Sequence, residues 1–462
     1  MLKQEQLESL LTRAMASQAD FAEIFEEDGM NESISMLNDV VEKVNRSQKA
    51  GVGIRLYKGV QSVYGYSNQQ DMDSLNQLVD DLRSGLGKED KETTVSLHYT
   101  KIENKHPVLQ DPFQTSLKEK VQLLSRLDRC AKKEDDRIVK TTSGLLSVKQ
   151  HVQIANSTGR WVEDTRVRTR MVCSAYAQDE KTMQTGFYGP GASAGLEFFA
   201  TTTPEAIAKE ACRVALVLLD AKDCPSGKMP VIIDNGFGGV IFHEACGHAL
   251  EATSVSKSQS VFANKLGQQI ASTKVTAIDD GTIVNGWGSE NIDDEGNLQQ
   301  KRVLIKDGIL TSYMVDRLNG RRMHMEPTGS SRRQSYKYEP TSRMSNTYIA
   351  AGTDSFEEMF AGIKRGLYAK NMGGGSVDPQ TGEFNFAVTE GYLIEDGKIT
   401  VPVKGASLIG TGSEILMNID RVSDNLKRGQ GMCGSISGSI AVDVGQPAIR
   451  VSSITVGGTS NE

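Results

Sequence analysis

Cysteine, histidine and long apolar runs are all scarce in this chain of 462 residues. The six cysteines, at positions 130, 173, 212, 224, 246 and 433, are scattered and form no Cys-x-x-Cys pair. That excludes a disulfide scaffold and points to a reduced, cytoplasmic home. No stretch approaches the roughly 18 apolar residues of a membrane span. The opening Met1-Leu2-Lys3-Gln4-Glu5 is broken by charge too early for a signal peptide, so neither membrane nor export is expected. Dense basic charge is missing too. Net charge is −7, and Ser331-Arg332-Arg333 is too short to form a patch, so no direct nucleic-acid partner is expected.

What is present is ordinary for a globular protein, with 38% hydrophobic and 24% charged residues. The length suggests more than one core. Leu7, Leu10, Leu11 and Ala14 predict a helix over 4–16. Alternation at 21–25, 52–56 and 60–64 predicts strands, with Lys58-Gly59 as a hairpin turn. Helical spacing returns near 71–86 and 115–133, and long strand-like stretches occupy 138–157 and 160–177. Pro204 opens another helix. Ala221 to Gly227 reads as a boundary between an N-terminal α+β domain, residues 1–222, and a β-rich domain, 228–462. The second half carries three Asp-Gly pairs, at 280–281, 307–308 and 396–397, each fitting a tight hairpin. Helices are expected there only around 240–252, 355–370 and 412–425. The fold class is therefore α+β: helices with an antiparallel sheet first, then a β-rich domain carrying one chemically important helix.

That helix holds two of the six histidines. His243-Glu244-Ala245-Cys246-Gly247-His248 follows an apolar strand, Val231-Ile232-Ile233, and a glycine loop, Gly236-Phe237-Gly238-Gly239. Imidazole nitrogen suits zinc, and a catalytic zinc uses three protein ligands and a water. A neighbouring carboxylate can take that water's proton. The shorter His-Glu-x-x-His places both histidines on one helix face. Here one residue is added, and positions five apart on an α-helix point about 140° from each other. Either a π-bulge or a distortion at Gly247 would bring His243 and His248 together. Candidates for a third ligand are Cys246, Glu251, Asp279, Asp280, His324 and Cys433. Cys246 reads as a small core residue, and a lone Cys433 by default as a buried hydrophobe.

Several ordered motifs resemble the TldD branch of the TldD/PmbA family over essentially the whole chain. They are His243 to Glu251, Ile292-Asp293-Asp294-Glu295-Gly296, Pro327-Thr328-Gly329, Arg343 to Tyr348, Gly373 to Pro379, Gly431-Met432-Cys433-Gly434 and Val444-Gly445-Gln446-Pro447. The resemblance implies a hydrolase: a zinc metalloprotease of broad specificity acting on unfolded or flexible peptides. It implies Zn2+ held by His243, His248 and Cys433, with Glu244 as general base, and it moves Glu251 to a supporting role. It also implies an oligomer, a dimer with a TldE/PmbA-like sister subunit. The alternative is a non-catalytic binding module that modulates a large partner such as DNA gyrase.

Two further groups are expected to be ordinary. Asp293-Asp294-Glu295 could recruit a cation but reads first as solvated surface. Arg332, Arg333 and Arg343 could bind a peptide C-terminus or an acidic residue but read first as surface arginines.

Overall fold

The computed structural model describes residues 1–87, 91–378 and 381–459. Pro379 of the glycine-rich motif and residues 460–462 of the expected second domain lie outside the described residues.

The first half follows the hydrophobic pattern. Helix α1 (Gln4–Met15) buries Leu7, Leu10, Leu11 and Ala14. Strands β1 (Phe21–Leu37), β2 (Val40–Lys58) and β3 (Gln61–Ser67) form a meander, turning at Gly59 with φ 59°. Helix α2 (Met72–Leu86) starts where Asp71 accepts from the Ser74 amide. A reciprocal Ser116/Glu119 cap starts α3 (Leu117–Glu134). Then come β4 (Ile138–Asn156), β5 (Arg160–Gln178), β6 (Met183–Tyr188) and α4 (Pro204–Leu219). The sheet runs β3-β2-β1-β4-β5-β6. The β1–β2 hairpin is far longer than its apolar alternation predicts. The first nine residues of β2 are exposed, so backbone pairing, helped by polar contacts such as the Gln48 amide donating to Asp28 at 3.1 Å, carries that stretch and nothing there selects for an apolar pattern.

The two faces of this sheet have different neighbours. Ile24, Ile34 and Met36 of β1 share one face and pack with helix residues such as Leu11, Leu75, Leu124 and Leu127. Glu23, Phe25 and Glu27 alternate to the other face and meet the second half of the chain, where Arg333 and Tyr336 wait.

In that second half, β7 (Gly227–Ile233), β8 (Ala277–Asp280), β9 (Lys301–Lys306), α5 (Arg317–Met323) and β10 (Asn346–Ile349) come first. They are followed by β11 (Arg365–Val377), β12 (Glu383–Glu395), β13 (Lys398–Lys404) and β14 (Ser407–Thr411). Helix α6 (Gly412–Asn418) precedes β15 (Lys427–Ser435), β16 (Gly438–Gln446) and β17 (Ile449–Gly457). Strands β11-β7-β17-β14-β12 pair in that order and β12 pairs back to β11, closing a ring around a large apolar core. A second sheet, β9-β8-β10-β16-β15, leaves β15 at its edge. The whole is α+β, as expected. No helix among the described residues is long and apolar enough to cross a membrane.

Several expectations need correction. Asp307-Gly308 and Asp396-Gly397 do turn hairpins, β9 into a short return and β12 into β13. Asp280-Gly281 does not. The Asp280 carboxylate accepts from the Thr282 amide and hydroxyl, at 2.9 and 2.6 Å, and sends the chain on a long excursion before β9 returns. Only Glu357–Phe360 of the helix expected over 355–370 forms, as one 3-10 turn. Gly362 sits at φ 79°, and Leu367 and Ala369 are drawn into the ring core as strand residues.

The acidic cluster is not solvated. Asp293, Asp294 and Glu295 are 0%, 1% and 0% exposed, which reverses the surface reading. They occupy the seam between the sheet and the second half. Arg55 of β2 reaches Glu295 at 2.6 Å and Glu23 at 3.1 Å, and Arg333 also reaches Glu23 at 3.1 Å. Arg166 of β5 reaches Asp294 at 2.8 Å and Asp164 at 3.4 Å. Arg332, Arg333 and Arg343 are buried as well, not surface arginines. Each is enclosed because its counter-charge or carbonyl partner is enclosed with it.

Candidate metal centre

The metal-type motif sits where strand β7 leaves the ring. After Ile233 the chain turns through Gly236–Gly239, in which Gly236 has φ 74°. Any side chain on Gly239 would meet the backbone of Gly445 at 2.5 Å, so the turn packs directly on β16. One turn of α-helix, Val240–Phe242, then gives way to a π-helical turn over His243–Gly247. The His248 amide donates to the His243 carbonyl, the five-residue spacing that absorbs the extra residue of the motif. Of the two ways to bring the histidines together, the structure uses the π turn. Gly247 keeps ordinary helical angles, φ −59° and ψ −48°, so unusual dihedrals are not its purpose. A Cβ there would lie 2.3 Å from Met344 Sδ, so Gly247 makes room for the packed Met344 side chain.

The two imidazoles consequently lie on one side of the segment, ring centres 5.1 Å apart and nearly perpendicular at 81°. Ala245, Cys246 and Leu250 face the ring core on the other. Cys246 donates toward the Gly412 carbonyl at 3.6 Å, and burial raises its thiol pKa well above the ordinary value. Cys433 arrives on the edge strand β15, with Sγ 3.2 Å from His248 Nε2. One donor atom each from His243, His248 and Cys433 lies within 4.8 Å of the others.

The other third-ligand candidates stand elsewhere. Asp279 accepts from the Ser345 amide and the Thr347 hydroxyl, at 2.8 and 2.9 Å. Asp280 holds Thr282, and His324 caps α5 at the surface with φ 55°. Glu251 Oε2 lies 3.1 Å from His248 Nδ1, which leaves Nε2 facing Cys433. Glu244 Oε2 is 3.6 Å from His248 Nε2, and the side chain is 31% exposed.

Electrostatics separate these groups. His243 is buried, and neither ring nitrogen has a hydrogen-bond partner. Burial, with His248 and Arg343 nearby, holds its pKa well below the ordinary value, so the ring is neutral and offers a lone pair. Burial also works against protonation of His248, but the Glu251 carboxylate and the Cys433 thiol outweigh it and raise its pKa. Burial raises the pKa of Glu244, opposed by His248.

Sequence reasoning missed Arg343 as a part of this site. Fully buried, it donates to the Cys433 carbonyl at 2.6 Å and to the Ser437 hydroxyl and Gly438 carbonyl at 2.9 and 3.0 Å. Its Nε also lies 3.9 Å from Glu251. It therefore ties the hairpin that carries the thiol to the carboxylate that orients His248. The sequence signal was its place at the head of the Arg343 to Tyr348 motif.

Two imidazoles and a thiol, one imidazole with both nitrogens unmatched, fit a soft divalent cation such as zinc. Two of these donors stand on the helical turn and the third on an edge strand, and sequence profiles place the chain among metallopeptidase domains. The PmbA/TldA metallopeptidase domain 1 matches residues 22–85, the central domain 110–219 and the C-terminal domain 226–458. A metalloprotease TldD homolog of Haemophilus influenzae is 39% identical over 453 residues, covering 96% of this chain and 93% of that protein. The chain belongs to the PmbA/TldD metallopeptidase family.

Two solved structures share the fold. One is a candidate modulator of DNA gyrase from Thermotoga maritima, with a TM-score of 0.81 and 21% identity, covering 98% of this chain and 99% of that one. The other is TldE from Thermococcus kodakarensis, with a TM-score of 0.77 and 18% identity at the same coverages.

Proposed function

We propose that the protein is a zinc metallopeptidase that cleaves unfolded or flexible peptides. His243, His248 and Cys433 would hold the metal, and Glu244 would act as general base. The observation that carries this reading is the neutral, buried His243 with two unmatched nitrogens, facing His248 and Cys433 across less than 4.8 Å. The naming of relatives as metalloproteases supports it. Bound there, zinc supplies Lewis acidity toward a carbonyl and lowers the pKa of water to about 7.

The chain's own groups do the rest. Glu244 Oε2 accepts a proton from the attacking water and returns it to the leaving amine as the carbon–nitrogen bond breaks. Its partial exposure leaves room for that exchange. Glu251 keeps a hydrogen bond on Nδ1 of His248, fixing the ring so that Nε2 faces the metal position. Broad specificity follows if substrate backbone, rather than side chains, makes most contacts. A TldE-like sister subunit is the proposed partner in a dimer, supported by the likeness to TldE.

The test joins metal content with activity. Wild type should carry about one zinc per chain, and Cys433→Ser should lose most of it. Glu244→Gln should keep the zinc while cleavage of unfolded casein falls about 10²–10⁴-fold. Full activity in Glu244→Gln would remove it as the base. Protein that refuses zinc altogether would sink the peptidase reading in favour of the binding module.

A further inference from the structure

A cavity of about 270 Å³ lies between the N-terminal sheet and the β15–β16 hairpin. Its lining residues include the apolar Leu146, Trp287, Met432 and Ile440 and the arginines Arg168 and Arg332. Met432 immediately precedes Cys433, and Ile440 is its cross-strand partner, so Ile440 and Cys433 share a face of the hairpin. The cavity is thus built on the strand that carries the thiol. Its size suits one or two residues of a peptide rather than a drug-sized ligand.

The charge on this wall is unbalanced. Arg168 and Arg332 both donate to the same oxygen, Glu290 Oε1, at 2.7 and 3.2 Å. Glu290 is also 3.5 Å from Arg166, which has Asp294 and Asp164 besides. Among the described residues, Arg168 and Arg332 have no other carboxylate partner; their remaining bonds go to the carbonyls of Trp287, Met344 and Ala441. Nε of Arg332, a residue 2% exposed, has no hydrogen-bond partner. Burial lowers the pKa of Arg168, and its two arginine neighbours reinforce the effect against Glu290. Lys49 adds positive charge to the walls, whereas Arg333, also among the lining residues, is paired with Glu23 at 3.1 Å. The other acid there, Glu27, already accepts from the Tyr336 amide and the Gln150 side chain.

We propose that this cavity is a substrate subsite that receives a peptide carboxylate, either an acidic side chain or the chain terminus, against Arg168 and Arg332. The proposal rests on the peptidase reading for its substrate class. The apolar walls favour a carboxylate on a carbon skeleton over a bare inorganic anion, because they bury the stem while the guanidinium groups take the charge.

Calorimetric titration of the full-length protein with three blocked dipeptides tests it. Acetyl-leucyl-glutamate amide presents only a side-chain carboxylate, acetyl-leucyl-glutamine acid only a terminal one, and acetyl-leucyl-glutamine amide neither. At least one acid should bind tenfold or more tightly than the neutral probe, and which one does so identifies the source. The advantage should vanish in Arg168→Gln. It should also vanish in Leu146→Glu, which places a negative charge at a lip position that is 37% exposed and so tolerates the change. Equal binding of the three probes, or binding of none, overturns the subsite. So does an advantage that survives in both variants. Casein cleavage without carboxylate preference would sink the subsite and leave the peptidase reading intact. Carboxylate-selective binding without cleavage would support the subsite and count against the peptidase.

Discussion

Two of the buried polar clusters in this molecule are built on opposite terms. Along the seam between the sheet and the second half, Arg55, Arg166 and Arg333 meet Glu23, Asp164, Asp294 and Glu295, each cation finding a carboxylate within 3.4 Å. In the candidate metal centre, His243 is equally buried, yet both of its nitrogens lack partners. A cluster that serves structure pairs each of its charges, because an unpaired buried charge is costly, even though Glu23 Oε2 and the Nε atoms of Arg55 and Arg333 have no hydrogen-bond partner. A cluster suited to a ligand leaves ligating atoms unspent and positions them through neighbouring groups, as Glu251 and Arg343 position His248 and Cys433.

Breaking the closed cluster should have the largest effect on stability. Arg55→Met removes the cation between Glu23 and Glu295, both buried. The expected loss is about 3–5 kcal/mol in a denaturant melt. Zinc content of the surviving folded fraction should be unchanged. A loss below about 1 kcal/mol would mean that the seam is not closed by charge pairing in the way described.

The metal centre should respond in the opposite sense. Glu251→Gln keeps the shape beside His248 Nδ1 and removes the charge. Zinc affinity, read by competition with a chelator, should fall about 10–100-fold. The unfolding midpoint of the metal-free protein should fall by less than in Arg55→Met, since buried Arg343 and His248 lose the carboxylate beside them but keep their other partners. Unchanged affinity would return Glu251 to a purely structural role.

The contrast also explains what was legible beforehand. The π turn follows from spacing: two histidines five apart cannot share a face on a regular helix, and a distortion had to be present. The helices and most strands of the first half follow from apolar periodicity, since each packs one face on a helix layer. Cys433 carried no such signal, because it stands 185 residues from His248 in sequence and only resemblance singled it out. The arginines and acids of the seam were misread as surface for the same reason. Glu295 is 240 residues from Arg55, and nothing local announces a partner that far away. The exposed half of the β1–β2 hairpin was missed because backbone pairing and polar side-chain contacts hold it, and neither leaves an apolar pattern.

The smallest effect concerns a carboxyl at the edge of the closed cluster. Burial, with Glu295 beside it, pushes Asp293 from the ordinary 3.8 up to about 7. A carboxyl whose pKa is higher in the fold than in the unfolded chain binds its proton more tightly when folded. Its contribution to stability is therefore fully present below about 3.8 and is lost as pH rises toward about 7. Asp293→Asn cannot lose a proton, so its melting temperature should change less than that of wild type between pH 4 and pH 7. At pH 4 the comparison reads the cost of altered hydrogen bonds to Ser331 and Asn297, where Asp293 is the acceptor. At pH 7 it adds the relief of a removed negative charge next to Glu295. The gap between variant and wild type should accordingly close as pH rises. A gap that stays constant across that range would show that Asp293 is ionised throughout, and that the seam holds one more compensated charge than its ion pairs reveal.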